Sequence, residues 1–180
     1  MSNINTLTYE QAAPATQEIF TALKKKVGMV PNLYATIGHS PVALQAILAF
    51  GETLGKGEFT PQETEAIALS VGQENDCGYC LSAHSAIGKM VGFSEEETLQ
   101  LRQTTIEDPK LSALTQLVKE IVVTRGRPSQ ALLDNFFNAG YSKGAFVELI
   151  GFVALNTFTN YFNHIAETKI DFPLAAGVTV

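Results

Sequence analysis

Apolar residues recur along this chain three and four positions apart, the spacing of a helix face, and helix-type boundary residues stand where one stripe gives way to the next. After Pro14 the first stripe is Ile19, Phe20, Leu23 and Val27, ended by Gly28 and by Pro31, which cannot continue a helix. Ser40 before Pro41 reads as an N-cap with proline at the first helical position. It opens a helix expected to bury Leu44, Ile47, Leu48 and Phe50 and to stop around Gly55 and Gly57. Thr60, Pro61 and Glu63 form a capping box ahead of Ile67, Ala68 and Val71. A polar turn, residues 73–76, then leads into a helix-compatible segment, 77–91, closed by Gly92.

The second half continues in the same manner. Ser94 with Glu97 is another capping box, and Asp108 before Pro109 starts a helix whose stripe is Leu111, Leu114, Leu117, Val118, Ile121 and Val122, closed by Gly126 and Pro128. Leu132, Leu133, Phe136 and Phe137 mark a shorter helix ending at Gly140. Ser142 caps a long last one carrying Phe146, Leu149, Ile150, Val153 and Phe158. Residues 171–180 read as an extended tail. No internal repeat, low-complexity stretch or dividing linker interrupts the chain, so the expectation is one all-α domain, a helical bundle spanning residues 1–180.

Composition narrows the function. Of 180 residues, 46% are hydrophobic and 17% charged, enough for a sizeable core and far from the composition of a disordered chain. Twelve Lys and Arg against 18 Asp and Glu leave a net charge of -6, so the cationic field that phosphate backbones or acidic lipids demand is missing. No apolar run approaches the roughly 20 residues of a bilayer span, and residues 1–6 lack the basic and apolar regions of a secretory leader. The expectation is a soluble, cytoplasmic protein with neither nucleic acid nor membrane as partner. Two cysteines, Cys77 and Cys80, are too few for a disulfide scaffold.

Their spacing carries chemistry instead. In Cys77-Gly78-Tyr79-Cys80-Leu81-Ser82-Ala83-His84, positions three and four apart share a helix face, so both sulfurs and the imidazole can lie on one stripe. Thiols one turn apart can form and break a disulfide with little backbone movement. Free N–H groups at a helix start favour thiolate, and His84 can accept or return a proton. Thiolate is the nucleophile of both peroxide attack and disulfide exchange. Two plainer readings stand beside this one: cysteines as small buried hydrophobes, and a zinc site using Cys77, Cys80 and His84 with His39, His164 or a carboxylate as fourth ligand. Zinc is disfavoured because a second Cys or His pair is missing from the sequence.

Glu65, eleven residues, Cys77, two residues, Cys80, three residues and His84 together resemble the alkylhydroperoxidase D-like branch of the carboxymuconolactone decarboxylase superfamily. Asn156, Asn160, His164 and Asp171-Phe172-Pro173 are similar to its peroxidase-related members. The resemblance implies an all-helical fold, homo-oligomers and thiol-dependent reduction of a hydroperoxide. It makes Cys80 the peroxidatic residue, Cys77 the resolving one, and Glu65 with His84 a proton relay. It also implies no bound cofactor or metal, and an external reductant, either a thiol or a lipoyl-type electron donor. On helix electrostatics alone Cys77, nearer the N-terminus, would be the better thiolate, whereas the nearness of His84 favours Cys80.

At Tyr79 the founding members of that family have a histidine; a phenol passes a hydrogen bond along but is a poor base at neutral pH. Asn156, Asn160 and His164, at four-residue spacing on the last helix beside Tyr161 and Phe162, are candidates for a pocket, a subunit contact or a solvated face. Other functions compatible with the sequence are a cofactor-free lactone decarboxylase-like lyase and a non-catalytic redox sensor or binding protein.

Overall fold

Hydroxyl and carboxylate caps, several followed by proline, decide where most of the helices begin. Residues 4–178 are described by the computed structural model; Met1–Asn3, part of the start read for a leader, and the last two residues of the tail lie outside them. Among the described residues there is no strand, and nine helices follow in order: α1 Pro14–Val27, α2 Asn32–Ile37, α3 Pro41–Leu54, α4 Pro61–Glu74, α5 Gly78–Met90, α6 Glu95–Gln103, α7 Pro109–Thr124, α8 Gln130–Asn138 and α9 Lys143–Ala166. Both capping boxes form: Thr60 and Ser94 each accept the backbone N–H three residues on, and Glu63 and Glu97 reach back to the cap. Ser40, Asp108 and Ser142 cap α3, α7 and α9 with their side chains. Gly28 closes α1 in the left-handed conformation that glycine adopts without penalty.

α4 is the axis of the bundle. Every residue from Glu65 to Gly72 is buried, because α5, α6, α7 and α9 pack around it. The main core gathers Ile67, Leu69 and Val71 of α4 with Leu114, Leu117 and Val118 of α7, Phe136 of α8 and Leu149 of α9. A second apolar cluster is built by Phe20, Leu33, Ile37 and Leu44 from the first three helices, together with Cys77, Tyr79 and Cys80. The cysteines thus belong to the interior of the N-terminal half.

Three expectations need correcting. α2 has no counterpart in the sequence reading, because six residues between Pro31 and Gly38 are too few to show a period; Leu33, Ala35, Thr36 and Ile37 are nevertheless buried. Val27, Phe50, Ile150 and Phe158, assigned to inward stripes, are exposed. Val27 follows three lysines in the last turn of α1. α3 and α9 are apolar around most of their circumference, and only part of it meets neighbours. Finally, α9 is long and apolar enough by length and composition to cross a membrane, contrary to the expectation that no run approaches that length. Here it packs against α2, α3, α4, α5 and α7 and turns Asn156, Asn160 and Asn163 inward.

Candidate active site

Residues 72–80 carry the chain from the central helix to the cysteines in one reversal. The Cys77 amide donates to the Gly72 carbonyl at 2.9 Å and the Asp76 amide to Gln73 at 3.1 Å. Asp76 takes a left-handed backbone with φ 52°. This is a Schellman closure with aspartate in the place glycine usually holds; a short polar side chain tolerates that conformation better than most. Cys77, the last residue of that closure, is at once the N-cap of α5, and its Sγ accepts the Cys80 amide at 3.3 Å. One residue therefore ends α4 and begins α5.

Cys77 and Cys80 form a disulfide, with Cα atoms 5.3 Å apart. Both are buried, at 1% and 3% exposure. Asn163 of α9 donates its Nδ2 to Cys80 Sγ at 3.3 Å and, more distantly, to Cys77 Sγ at 3.9 Å. Its Oδ1 is buried without a hydrogen-bond partner. A search of the sequence for residues at four-residue spacing selects 156, 160 and 164. The inward face actually runs 156, 160 and 163, the other common helical interval, and that signal was available.

Glu65 is placed on α4 so that its carboxylate meets α5. His84 Nδ1 donates to Glu65 Oε2 at 2.8 Å, with the two side chains 25% and 11% exposed. Burial opposes a charged imidazole, but the charge of Glu65 and its hydrogen bond outweigh it and raise the pKa of His84 above the ordinary value. Glu65 is thus a buried, paired carboxylate and not a solvated surface group. Tyr34 of α2, which the sequence did not single out, lies in the same field: burial, and then the negative charge of Glu65, push its phenol upward.

Tyr79 points away from this pair. Its hydroxyl donates to Asp171 Oδ1 at 2.8 Å and accepts the Leu33 amide at 3.2 Å, while the Asn32 amide donates to Asp171 Oδ2 at 2.8 Å. Burial raises the Tyr79 pKa far above the usual phenol value, and Asp171 adds to the effect. The ring meets Phe172 edge to face at 5.8 Å. Farther along, the Ala175 amide donates to Ser82 Oγ at 3.3 Å, and a Cβ on Gly78 would come within 3.1 Å of Val178. The tail segment 170–178 is thus strapped along the first turns of α5.

The remaining candidates are more scattered. Asn160 is fully buried and accepts from Asn75 Nδ2 at 2.9 Å, two residues before Cys77. Asn156 donates to its own helix at the Phe152 carbonyl. His164 is exposed and donates Nε2 to the Asp76 carbonyl at 3.2 Å; His39 does the same to the Asn5 carbonyl at 2.9 Å. Among the described residues no group of three or more His, Cys, Asp or Glu is placed to hold a metal. A cleft of about 820 Å³ between the N-terminal segment and α1 is lined by Leu7, Tyr9, Phe20, Lys24, Met29 and Val30 among others, and neither cysteine borders it.

Residues 41–120 match the sequence model of the Carboxymuconolactone decarboxylase family, a span that holds Glu65, Cys77, Cys80 and His84. No curated protein matches the chain. Among solved structures, an uncharacterized peroxidase-related protein from Ralstonia eutropha JMP134, described as an alkylhydroperoxidase core, superposes with a TM-score of 0.84 at 18% identity, covering 94% of this chain and 92% of that one. A peroxidase-related protein from Silicibacter sp. TM1040 gives 0.79 at 21% identity over 93% and 92%. The debrominase Bmp8, solved in complex with 2,3,4-tribromopyrrole, gives 0.80 at 18% identity over 95% and 92%. The all-α, alkylhydroperoxidase D-like fold and the resemblance to this superfamily read from the sequence are borne out.

Proposed function

We propose, on this alkylhydroperoxidase D-like fold, that the protein is a thiol-dependent peroxidase. The observation that supports it most is the Cys77–Cys80 disulfide lying one helical turn from a hydrogen-bonded Glu65–His84 pair. The Cys80 thiolate attacks the terminal oxygen of a hydroperoxide; an S–O bond forms, the O–O bond breaks, and the departing alkoxide takes a proton supplied through His84 and Glu65. The Cys77 thiol then displaces water from the sulfenic acid to give the disulfide. An external thiol or lipoyl-type dithiol returns two electrons and two protons, so no bound cofactor is needed.

Both sulfurs are buried, so substrate and reductant reach them when the strap over α5 parts. The exposed apolar faces of α3 and α9, with Phe50, Ile150, Phe158, Tyr161 and Ile165, support a homo-oligomer. A cytoplasmic setting fits the need for a standing supply of reduced thiols.

Mass spectrometry of the fully reduced protein before and after one equivalent of hydroperoxide tests this. Loss of two hydrogens, mapped between Cys77 and Cys80, with turnover when a dithiol is added, is the expected result. An unchanged mass sinks the reading. Oxidation without turnover indicates a sensor, and a lyase reaction that survives C77S/C80S indicates a decarboxylase. Because of the likeness to a debrominase, a halogenated pyrrole belongs in the same assay as a second oxidant.

A further inference from the structure

Cys77 and Cys80 are not equivalent in what α5 gives them. Cys77 caps the helix, and its sulfur receives the Cys80 amide and faces the positive end of the helix dipole. Cys80 lies inside the first turn, where the next amide, that of Leu81, is already bonded to the Cys77 carbonyl. A donor for the Cys80 sulfur must come from another element. It comes from α9: Asn163 Nδ2 stands 3.3 Å from Cys80 Sγ but 3.9 Å from Cys77 Sγ.

We propose that Asn163 is a catalytic residue that stabilises the Cys80 thiolate and so directs the attack to the second cysteine of the pair. The assignment rests on the thiol chemistry proposed above and deepens it. Asn163 is 4% exposed, so its N–H group acts on the sulfur with little solvent to dilute it. An amide donor is neutral at every pH. It therefore favours the charged thiolate over the thiol without titrating itself.

Ionisable groups on the elements around the pair include Tyr34 on α2, Glu65 on α4, Tyr79 and His84 on α5, His164 on α9 and Asp171 in the tail. Of these, Tyr79 and Asp171 bond each other, Glu65 bonds His84, and His164 bonds a backbone carbonyl. The described hydrogen bonds to the two sulfurs come from the Cys80 amide and from Asn163.

The other half of the Asn163 amide fits the same role. Its buried Oδ1 has no hydrogen-bond partner, and an acceptor left open beside the sulfur is matched by the terminal O–H of a hydroperoxide. With that O–H held, the oxygen attacked is the one bearing the hydrogen. The S–O bond forms there, the O–O bond breaks, and the alkoxide leaves to be protonated.

The test uses full-length protein with one thiol at a time: C77S, which keeps Cys80, and C80S, which keeps Cys77. Each is titrated by the ultraviolet absorbance of the thiolate, with and without Asn163→Leu. In C77S the Leu variant should raise the midpoint by about one pH unit, a ten-fold loss of thiolate at a pH below it. In C80S the midpoint should move much less, following the longer distance. An unmoved midpoint in C77S, or equal movement in both backgrounds, overturns the assignment.

If the Leu variant does not fold, Asn163→Asp decides. It keeps size and polarity but sets a carboxylate oxygen against the sulfur, so it should raise the Cys80 midpoint by more than ten-fold in thiolate terms; no rise overturns the proposal. The titration needs no peroxide. A shifted thiolate in a protein that never turns over hydroperoxide removes the peroxidase reading and keeps Asn163 only as the donor that stabilises the Cys80 thiolate, and an unshifted thiolate with intact turnover does the reverse.

Discussion

Replacing Glu65 by glutamine removes the carboxylate from the Glu65–His84 pair while keeping its shape, and the effect on stability should depend on pH in a defined direction. The pKa of His84 in the folded protein is raised above its ordinary 6.5. The charged pair therefore adds stability that is complete below about pH 6.5 and fades as pH climbs through the folded value. A hydrogen bond between charged partners contributes about 1.5–3 kcal/mol, and side chains 25% and 11% exposed place this pair near the lower end, at about 2 kcal/mol. Where His84 is neutral, the glutamine oxygen still accepts its N–H, and the loss shrinks to about 0.5–1 kcal/mol. In the variant the carboxylate charge is gone while burial still opposes a charged imidazole, so the protein should weaken further as pH falls. Urea midpoints of both proteins between about pH 5.5 and 9 read the difference, and a titration of the His84 ring resonance should show its pKa lower in the variant. An equal loss of stability at both ends of that range would refute the reasoning.

Three further outcomes are expected. Tyr79→Phe leaves the Leu33 amide without its acceptor and Asp171 without one of its two donors, a loss of about 1–3 kcal/mol. The same variant should be cut by protease within residues 168–178 sooner than the parent. Asp76→Gly relaxes a left-handed non-glycine residue and should raise the unfolding free energy by about 0.5–1 kcal/mol, read from its urea midpoint, whereas Asp76→Ala should lower it. Phe158→Glu with Ile165→Glu charges the exposed face of α9, and sedimentation velocity should find the assembly broken into single chains; a parent protein already monomeric would remove the proposed oligomer.

Local chemistry was legible in the sequence wherever a residue speaks for itself. Thr60 with Glu63, Ser94 with Glu97, and Asp108 before Pro109 each bond within three residues, so the helix starts could be read without knowing the fold. The candidate residues on α4 and α5 were picked out by spacing and by resemblance, but that Glu65 is buried against His84 follows from the reversal at 75–77, which no period reports. What escaped depended on distant segments. α2 is too short to repeat. The roles of Asn163 and Asp171 come from contacts with residues 83 and 92 positions away, respectively. Phe50, Ile150 and Phe158 obey helical spacing and still face outward, because periodicity identifies an apolar face without saying what covers it.

The sharing of Cys77 between two helices leaves no slack between the protein's most deeply set rod and its cysteine pair. A small rotation of α4 in its packing would swing both sulfurs with it, so core substitutions that never approach them could still shift their position. Transplanting the four-residue motif onto another scaffold would carry over the reagents without the vise that aims them; the portable unit is both rods and the corner that joins them.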